Sequence, residues 1–417
     1  MRLAHIWVFF AAIAPAVSIS RAQNVVTDWN TIASRTIVAQ SGKPANFAPF
    51  FAYTRLAVYD AVNSIHGRFR PFYFAGVTDR NASDEAAAIS AAHAVLVRYF
   101  PAQKAELDGE FQESLGKIVA RSGHAKQAGV EAGEAAAQAL ITARIGDGLE
   151  ADVPYVPGTE LGNWQPTPPG FLTPAVPWLG QMRPFTMKSP AQFLPPGPYP
   201  LSSEQWAADY NLTRIFGDSH STVRTPGQTE IGLFWTEHPG QQDARTWNYL
   251  VQTYKLDVAD SARLIAVLWT GLADALIGCF NAKYEFGFWR PVTAIAAGGG
   301  NSELTADVGW TPLGITPNHP EYPAAHACGT KAVSMLVEDF FGTQKVHVIV
   351  DSLAFSDGVH THTFDSTTDW FDEVFWARIY AGFHFHHSLQ DGAELGRRVS
   401  RQLFEHNFQR VRNGHEK

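Results

Sequence analysis

A lysine and an arginine stand seven residues apart in segment 283–291. Two converging positive charges favour an anion, since arginine offers a planar fork for two oxygen atoms and lysine offers a point charge. Seven residues make nearly two helical turns, so Lys283 and Arg290 would share a face if one helix ran through both. Gly287 and Pro291 indicate instead that the helix ends nearby. Such a pair is, taken alone, more often a solvated surface pair than a binding site.

The second candidate segment, 319–326, leads into an apolar helical stretch. Pro323 suits the first turn of that helix. The backbone N–H groups of Ala324, Ala325 and His326 would then face outward as a cradle for an anion. A neighbouring oxyanion would favour the protonated imidazole of His326, which suits a general acid or base near neutral pH. The alternative is a histidine at a helix start that only bonds to the backbone.

The third candidate segment combines a cation with histidines near residue 384. Arg378 could supply a third positive charge, Gly382 a close approach of the backbone, and His384 a neutral nitrogen able to bond an electrophilic centre such as phosphorus. His384, His386 and His387 could also form a metal cluster, but the cysteines that often flank zinc sites are absent. We therefore interpret His386 and His387 as supporting or surface residues.

Taken in order, the three segments resemble the signature of the superfamily that joins vanadium-dependent haloperoxidases to type 2 phosphatidic acid phosphatases. The signature is lysine, six residues, Arg-Pro; then proline, two small residues, histidine; then arginine, three residues, glycine, one residue, histidine. The motifs lie between about Thr229 and the end, and the N-terminal part is similar to secreted haloperoxidase-like members. The resemblance implies an all-α helical bundle with vanadate as the cofactor.

The same resemblance implies a role for each motif residue. Lys283, Arg290 and Arg378 would hold the equatorial oxygens of vanadate or phosphate. His384 would form the covalent bond to vanadium or phosphorus and is in that sense the metal ligand. His326 would be the acid–base residue at the apical oxygen.

Three departures from the family pattern affect the support of this site. Ala324 and Ala325 stand where the family usually has Ser-Gly, so their N–H groups would bind the oxyanion without the serine hydroxyl. The loss of one buried hydrogen bond costs about 1–3 kcal/mol. Ala377 replaces a serine before the third-motif arginine. Ser388 replaces the aspartate that often orients the histidine, unless Asp391 or another carboxylate takes over that role.

His319 precedes His326 by seven residues, at a position that lies near the halide in the enzymes that the chain resembles. A histidine there is more like the bromoperoxidases than the fungal chloroperoxidase with its phenylalanine, so bromide is the favoured halide. The alternative is that His319 begins a turn before Pro320 and touches nothing reactive.

Helical periodicity predicts the elements that position these segments. Early alanine-rich or apolar stretches predict packing helices over residues 49–65, 84–100 with Asp84 as N-cap, and 126–145. Helical patterns return after Thr229, including 258–280, and residues 346–350 could form a short strand.

Proline content divides the chain. Residues 154–200 hold 13 of the 25 prolines, which excludes long helices and predicts a packed loop that could shape a substrate entrance. The predicted regions are an N-terminal helical region (23–150), a Pro/Gly-rich packed loop region (151–225) and a C-terminal helical region that carries the oxyanion site (226–417).

Residues 1–22 are predicted to be a signal peptide, because Arg2 precedes an apolar run over 6–17 and small residues flank Arg21. The mature chain would begin at Gln23 and be secreted or periplasmic. The alternative is an N-terminal membrane anchor, for which the run is shorter than the roughly 20 residues that span a bilayer. We expect no later segment to span a membrane.

The composition of the chain limits the classes of partner that it could bind. A hydrophobic content of 45% with 17% charged residues fits an ordered globular protein. The formal net charge of −8 offers no broad basic face for nucleic acid, so an anion site must be a local cluster of cations. Cys279 and Cys328 are too few for a disulfide scaffold, and they are either one bridge beside the site or two buried free thiols.

Three functions follow as hypotheses. The favoured one is a vanadate-dependent haloperoxidase that oxidises halide with hydrogen peroxide and acts on a small organic substrate. It is favoured over a lipid phosphatase because the sequence predicts export and no membrane-spanning helices. The second is a soluble acid phosphatase, in which His384 attacks a phosphate ester, His326 protonates the leaving alcohol and water hydrolyses the phosphohistidine. The third is a noncatalytic phosphate-binding protein, which retention of all five charged or imidazole side chains argues against.

Overall fold

The structure is a computed structural model that describes residues 24–41 and 45–411. The predicted signal peptide lies outside the described residues. Within them the chain forms thirteen α-helices and one two-stranded antiparallel sheet, so the predicted all-α class is confirmed. In chain order the elements are α1 (Val25–Ser41), α2 (Phe47–His66), α3 (Asp84–Tyr99), α4 (Lys104–Lys117), α5 (Gly123–Ala143), α6 (Glu204–Phe216), α7 (Pro226–Phe234), α8 (Pro239–Thr253), α9 (Val258–Phe286), α10 (Pro291–Ala296), α11 (Ala325–Phe341), β1 (Val348–Ser352), β2 (His360–Phe364), α12 (Thr367–Tyr380) and α13 (His386–His406).

The N-terminal helices pack closely because small residues line their contacts. A Cβ atom on Gly133 of α5 would lie 2.5 Å from the carbonyl oxygen of Ala87 in α3, so this contact requires the absence of a side chain. The predicted helices over 49–65, 84–100 and 126–145 are present as α2, α3 and α5. The N-cap of α3 is Ser83 rather than Asp84, because the serine hydroxyl accepts the N–H of Ala86.

Helix α9 is the central element: 21 of its 29 residues are buried, and it contacts α2, α11 and α13. By length and composition it could cross a membrane, so the expectation that no later segment was long and apolar enough is wrong. The predicted helical pattern ends at residue 280, whereas the helix continues to Phe286. Of its most apolar window, 94% is buried inside the protein, as in the core helix of a globular domain.

The proline-rich segment between α5 and α6 contains no α-helix within the described chain, as predicted. It is tied to the helical core by charged groups: Arg144 binds Asp147 at 2.6 Å, and Asp274 of α9 accepts the N–H groups of Phe185 and Thr186 at 2.7 and 2.8 Å. The predicted loop region 151–225 nevertheless includes α6, whose start is capped by the hydroxyl of Ser203.

The C-terminal elements bring the second and third motifs together. Helices α11 and α13 pack closely at Gly392 and Gly396 of α13. An added Cβ atom would lie 2.8 Å from the carbonyl oxygen of Ala324 at Gly392, and 2.3 Å from that of Cys328 at Gly396. The predicted strand near 346–350 is β1, paired with β2. One continuous core runs from Val26 to Phe408, and the predicted region boundaries stay predictions.

Candidate oxyanion site

Lys283 lies in the last turn of α9, and its side chain is fully buried. Its ammonium donates to the carbonyl oxygens of Pro320, Glu321 and Pro323 at 2.9, 2.8 and 2.5 Å. All three of its protons are therefore engaged by the turn before α11. Burial lowers the pKa of Lys283 to about 8. The sequence predicted a direct oxyanion donor here, whereas the structure makes Lys283 a buried charge that also holds the second motif in place.

Arg290 lies just beyond the end of α9, where Gly287 adopts a φ of 54° and turns the chain. The helix thus ends between the two cations, as Gly287 and Pro291 predicted, and Arg290 becomes the N-cap of α10. Its Nε donates to the carbonyl oxygen of His319 at 2.9 Å, and its Nη1 to that of Phe383 at 3.0 Å. Arg290 therefore connects the second motif to the third.

His319 is buried beside Arg290, whose Nη2 lies 3.0 Å from its Nδ1. Its ring centre is 5.0 Å from that of Phe280 in α9. Burial first, and then the charges of Arg290 and Lys283, hold the pKa of His319 well below its usual range. His319 thus contacts one of the candidate anion-binding cations, and its place near a halide stays a prediction.

The start of α11 differs from the predicted cradle in two respects. Pro323 is not in the first turn, because the N-cap is Ala324 and the helix begins at Ala325. The N–H of Ala324 is not free either, since it donates to the carbonyl oxygen of Ser388 at 3.0 Å. The assignment of Ala324 as an oxyanion donor is therefore wrong in this structure. The N–H groups of Ala325 and His326 remain at the helix start, where no intrahelical acceptor exists and no side chain caps them.

Arg378 lies in the last turn of α12 and is 2% exposed. Its Nη1 donates to the carbonyl oxygen of Trp235 at 2.8 Å, and its guanidinium lies 4.8 Å above the ring of Phe383. Its Nε is buried and has no hydrogen-bond partner. Within the described chain Arg378 pairs with no carboxylate, and burial lowers its pKa to about 9. A buried guanidinium with a vacant donor is a ready partner for an anion.

His384 lies in the strap that joins α12 to α13, held close to α6 by Gly382. Its Nε2 is 3.3 Å from Nη1 of Arg290, and its Nδ1 is 2.7 Å from Oε1 of Glu321. The imidazole is 1% exposed, and burial and the charges of Arg290 and Lys283 hold its pKa well below the usual range. In this environment His384 is a neutral imidazole.

His326 is less enclosed than the other motif residues and forms no hydrogen bond through its ring to any described residue. Burial lowers its pKa well below the usual range, and the charges of Arg378, Lys283 and Arg290 lower it further. The three cations thus act on the imidazole of His326 as they act on that of His384. The five motif side chains share one electrostatic environment, although their segments lie far apart in the chain.

The neighbouring histidines and cysteines have other contacts. His386 packs against Phe375 at the start of α13, and His387 stacks on Tyr199 at 3.7 Å and pairs with Asp391 at 3.0 Å. Asp391 is therefore not the carboxylate that orients His384. The cysteines are two buried free thiols, Cys279 and Cys328.

Glu321 is the site residue that the sequence interpretation missed. It is fully buried, and its Oε1 also accepts the N–H of Phe385 at 3.1 Å. Burial raises the pKa of Glu321 to about 7, against the opposing charges of Lys283 and Arg290. The available signal was that Glu321 is the one acidic residue in segment 319–326, between two candidate histidines.

The donor set fits a tetrahedral oxyanion such as vanadate or phosphate. Three buried cations face one buried carboxylate, Glu321, which leaves an excess of positive charge. Arg378 offers an unpartnered buried Nε, and the start of α11 offers the N–H groups of Ala325 and His326. Such an arrangement can bind an anion, present a histidine nitrogen to its central atom and transfer a proton through a second histidine.

The C-terminal part of the chain is similar in sequence to known proteins. Residues 263–413 match the model of the VCPO second helical-bundle domain. Over 149 residues the chain is 31% identical to vanadium chloroperoxidase from Curvularia inaequalis, an alignment that covers 29% of this chain and 24% of that protein. The alignment therefore spans about a quarter of the length of the curated relative.

Solved structures extend the likeness to the whole fold. The first bacterial vanadium-dependent iodoperoxidase to be solved superposes with a TM-score of 0.76 at 20% identity, over 93% of this chain and 96% of that one. The holo-type bacterial vanadium-dependent chloroperoxidase superposes with a TM-score of 0.72 at 17% identity, over 89% and 93% of the two chains. Residues 263–413 thus match the VCPO second helical-bundle domain, and over nearly its whole length the chain has the fold of bacterial vanadium-dependent haloperoxidases.

Proposed function

We propose that this chain is a vanadate-dependent haloperoxidase that oxidises halide with hydrogen peroxide. The observation that carries the proposal is that three buried cations act electrostatically on both imidazoles, those of His326 and His384, while Arg378 keeps an unpartnered donor. The match of residues 263–413 to the VCPO second helical-bundle domain supports the same reaction class.

The contacts of each residue indicate its proposed role. Arg378 would hold the oxyanion through its free Nε, and the N–H groups of Ala325 and His326 would bind it at the helix start. Lys283 and Arg290 would stabilise its charge, and Arg290 has donors directed at His384. His384 would bond to the central atom through Nε2. His326 would hold or deliver the proton exchanged with the bound oxyanion. Vanadate, when bound there, supplies the activation of peroxide towards halide.

A soluble acid phosphatase is the second candidate, and the geometry of His384 specifically favours it as well. A buried neutral imidazole next to cations is a competent nucleophile towards phosphorus. The negative charge of the bound phosphate would offset the three cations and allow His326 to be protonated. His384 would then form the P–N bond as the ester oxygen leaves with the proton from His326, and water would break the P–N bond. The same residues would bind both oxyanions, so only the reaction distinguishes the candidates. A noncatalytic phosphate-binding protein would need only the cations.

His319 is the candidate halide-site residue, and we propose bromide as the preferred halide. Its ring lies between Arg290 and Phe280, beside the cations on which a halide would depend. One structural neighbour is an iodoperoxidase and another a chloroperoxidase, so bromide, iodide and chloride should be compared directly. A secreted or periplasmic location is proposed from residues 1–22, and a small organic molecule is the proposed acceptor of the oxidised halide.

The deciding experiment uses the mature chain purified without metal. We expect peroxide-dependent halogenation of a dione with bromide only after orthovanadate is added, and loss of this activity in His384→Ala. Hydrolysis of an aryl phosphate that orthovanadate inhibits would select the phosphatase instead. If neither activity appears and His384→Ala binds phosphate as the parent does, both enzymatic proposals are wrong.

A further inference from the structure

The carboxylate of Glu321 and the imidazole of His384 form a buried pair that the sequence does not reveal, since 63 residues separate them. Glu321 is fully buried and His384 is 1% exposed, so water does not compete for the contact. Nδ1 of His384 lies 2.7 Å from Oε1, a normal distance for a hydrogen bond to a carboxylate.

The partners on both sides of the imidazole determine which nitrogen carries the proton. Nη1 of Arg290 lies 3.3 Å from Nε2, and a guanidinium has donors but no acceptor. Nε2 must therefore be the nitrogen with the lone pair. A neutral imidazole has one N–H, which is then on Nδ1 and donates to Glu321.

The surroundings of Glu321 maintain this arrangement. The N–H of Phe385, the residue after His384, donates to the same Oε1 at 3.1 Å. The carboxylate is thus attached to both the side chain and the backbone of the strap. Oε2 of Glu321 and Oγ of Ser388 are both buried, and the Ser388 hydroxyl lowers the pKa of the Glu321 carboxyl, so the serine supports the carboxylate and does not replace it as acceptor for His384.

We propose that Glu321 is a positioning residue that accepts the Nδ1–H of His384 and so presents the Nε2 lone pair to the central atom of the bound oxyanion. The proposal rests on the proposed function in one respect, which is that Nε2 of His384 bonds the oxyanion. A hydrogen bond from Nδ1–H to a carboxylate both fixes the ring orientation and raises the basicity of the other nitrogen. Glu321 itself touches neither substrate nor oxyanion.

Three variants separate charge, hydrogen bonding and local packing. Glu321→Gln keeps the shape and an acceptor oxygen but removes the charge. Glu321→Met removes the acceptor. Ser388→Ala is the matched control, because it changes a buried group beside Glu321 and leaves the acceptor of His384 in place. Thermal unfolding checks that each variant is folded.

The first measurement is the ¹⁵N spectrum of histidine-labelled protein, with the His384 signals assigned through His384→Asn. We expect the parent chain and Ser388→Ala to show His384 as the Nδ1–H tautomer, and Glu321→Met to lose this single form. An Nε2–H tautomer in the parent chain overturns the proposal, whether or not the protein is a haloperoxidase.

The second measurement is the affinity for orthovanadate by isothermal titration calorimetry. Loss of a partner that orients a ligating histidine weakens binding about 10- to 100-fold, which we expect for Glu321→Gln, with Ser388→Ala within about twofold of the parent. A folded Glu321→Gln that binds orthovanadate as the parent does overturns the proposal. Failure of the parent chain to bind orthovanadate or oxidise halide would count against the proposed function, and the tautomer would still decide the role of Glu321.

Discussion

Arg378 donates from Nη1 to the carbonyl oxygen of Trp235 at 2.8 Å, and this is the one hydrogen bond that the structure shows for its guanidinium among the described residues. Trp235 is in turn held by Glu373, which accepts its indole N–H at 3.0 Å. The bond fixes the direction of the guanidinium, while its Nε stays buried without a partner. The fold thus determines the position of Arg378, and its unpartnered Nε can donate a hydrogen bond to an anion.

Arg378→Met should separate stability from anion binding. A buried charge without a carboxylate is costly, and its replacement by an apolar side chain of similar length is often neutral or stabilising. We therefore expect the melting temperature in buffer without oxyanions to stay the same or rise. Loss of a charge-assisted hydrogen bond should weaken orthovanadate binding by about 1.5–3 kcal/mol.

The control for Arg378→Met is stabilisation of the parent chain by ligand. At a free orthovanadate concentration of about 100 times Kd, the parent should gain about 2.7 kcal/mol of unfolding free energy. The variant at the same concentration should gain much less. An equal gain in both proteins would show that Arg378 does not bind the anion.

Lys283 should make anion affinity fall at alkaline pH. Burial lowers its pKa to about 8, so the folded chain loses this charge well below the usual lysine value of 10.5. We expect the Kd for tungstate, whose own charge is constant over this range, to increase as the pH rises through about 8. Lys283→Met should bind more weakly at neutral pH and lack this step.

The same group has the opposite effect on stability. Because the folded pKa lies below the unfolded value, the buried ammonium costs stability at low pH, and this cost is relieved as the pH rises from about 8 towards 10.5. The difference in unfolding free energy between parent and Lys283→Met should therefore change in favour of the parent over that interval. A constant difference would contradict the lowered pKa.

Gly382→Ala should destabilise the protein more than a glycine substitution at an open position. Gly382 has a φ of 74°, and an added Cβ would lie 2.5 Å from the carbonyl oxygen of Gly217. Gly67 has a similar φ of 63° with no atom within 4 Å of the added Cβ, so Gly67→Ala isolates the backbone strain. We expect a loss of about 1–2 kcal/mol for Gly67→Ala by denaturant unfolding.

The clash should add to this loss in Gly382→Ala and also weaken orthovanadate binding, since Gly382 is two residues from His384. Equal destabilisation by the two substitutions would mean that the contact with Gly217 is not tight. Gly67→Ala, far from the site, should bind orthovanadate normally.

Cys279 and Cys328 should react as free thiols only after unfolding. Both are buried, so a thiol reagent should label neither in the native protein. After denaturation without reductant, mass spectrometry should find both cysteines labelled. Absence of labelling under these conditions, reversed by reductant, would instead show a bridge between them.

Much of the fold could be predicted because its causes are local. The apolar spacing in α2 and α9, the small residues of α3 and α5, and the prolines of 154–200 each act within a few turns of chain. The sequence predicted the helix ends less well than the helices themselves. Ser83 rather than Asp84 caps α3, and α6 forms inside the predicted loop region. Those choices depend on hydrogen bonds and packing that periodicity does not describe.

The motif residues could be named from the sequence because each motif is a short segment with its own spacing. Their states required the tertiary structure. The three carbonyl oxygens around Lys283, the engaged N–H of Ala324 and the vacant Nε of Arg378 are set by how the turn before α11 and the C-terminal helices dock on α9 and α7. The pairing of Glu321 with His384 joins residues 63 positions apart, and no local pattern specifies it. Burial and orientation at a site are properties of the packed whole, because each depends on atoms that the chain brings together only when it folds.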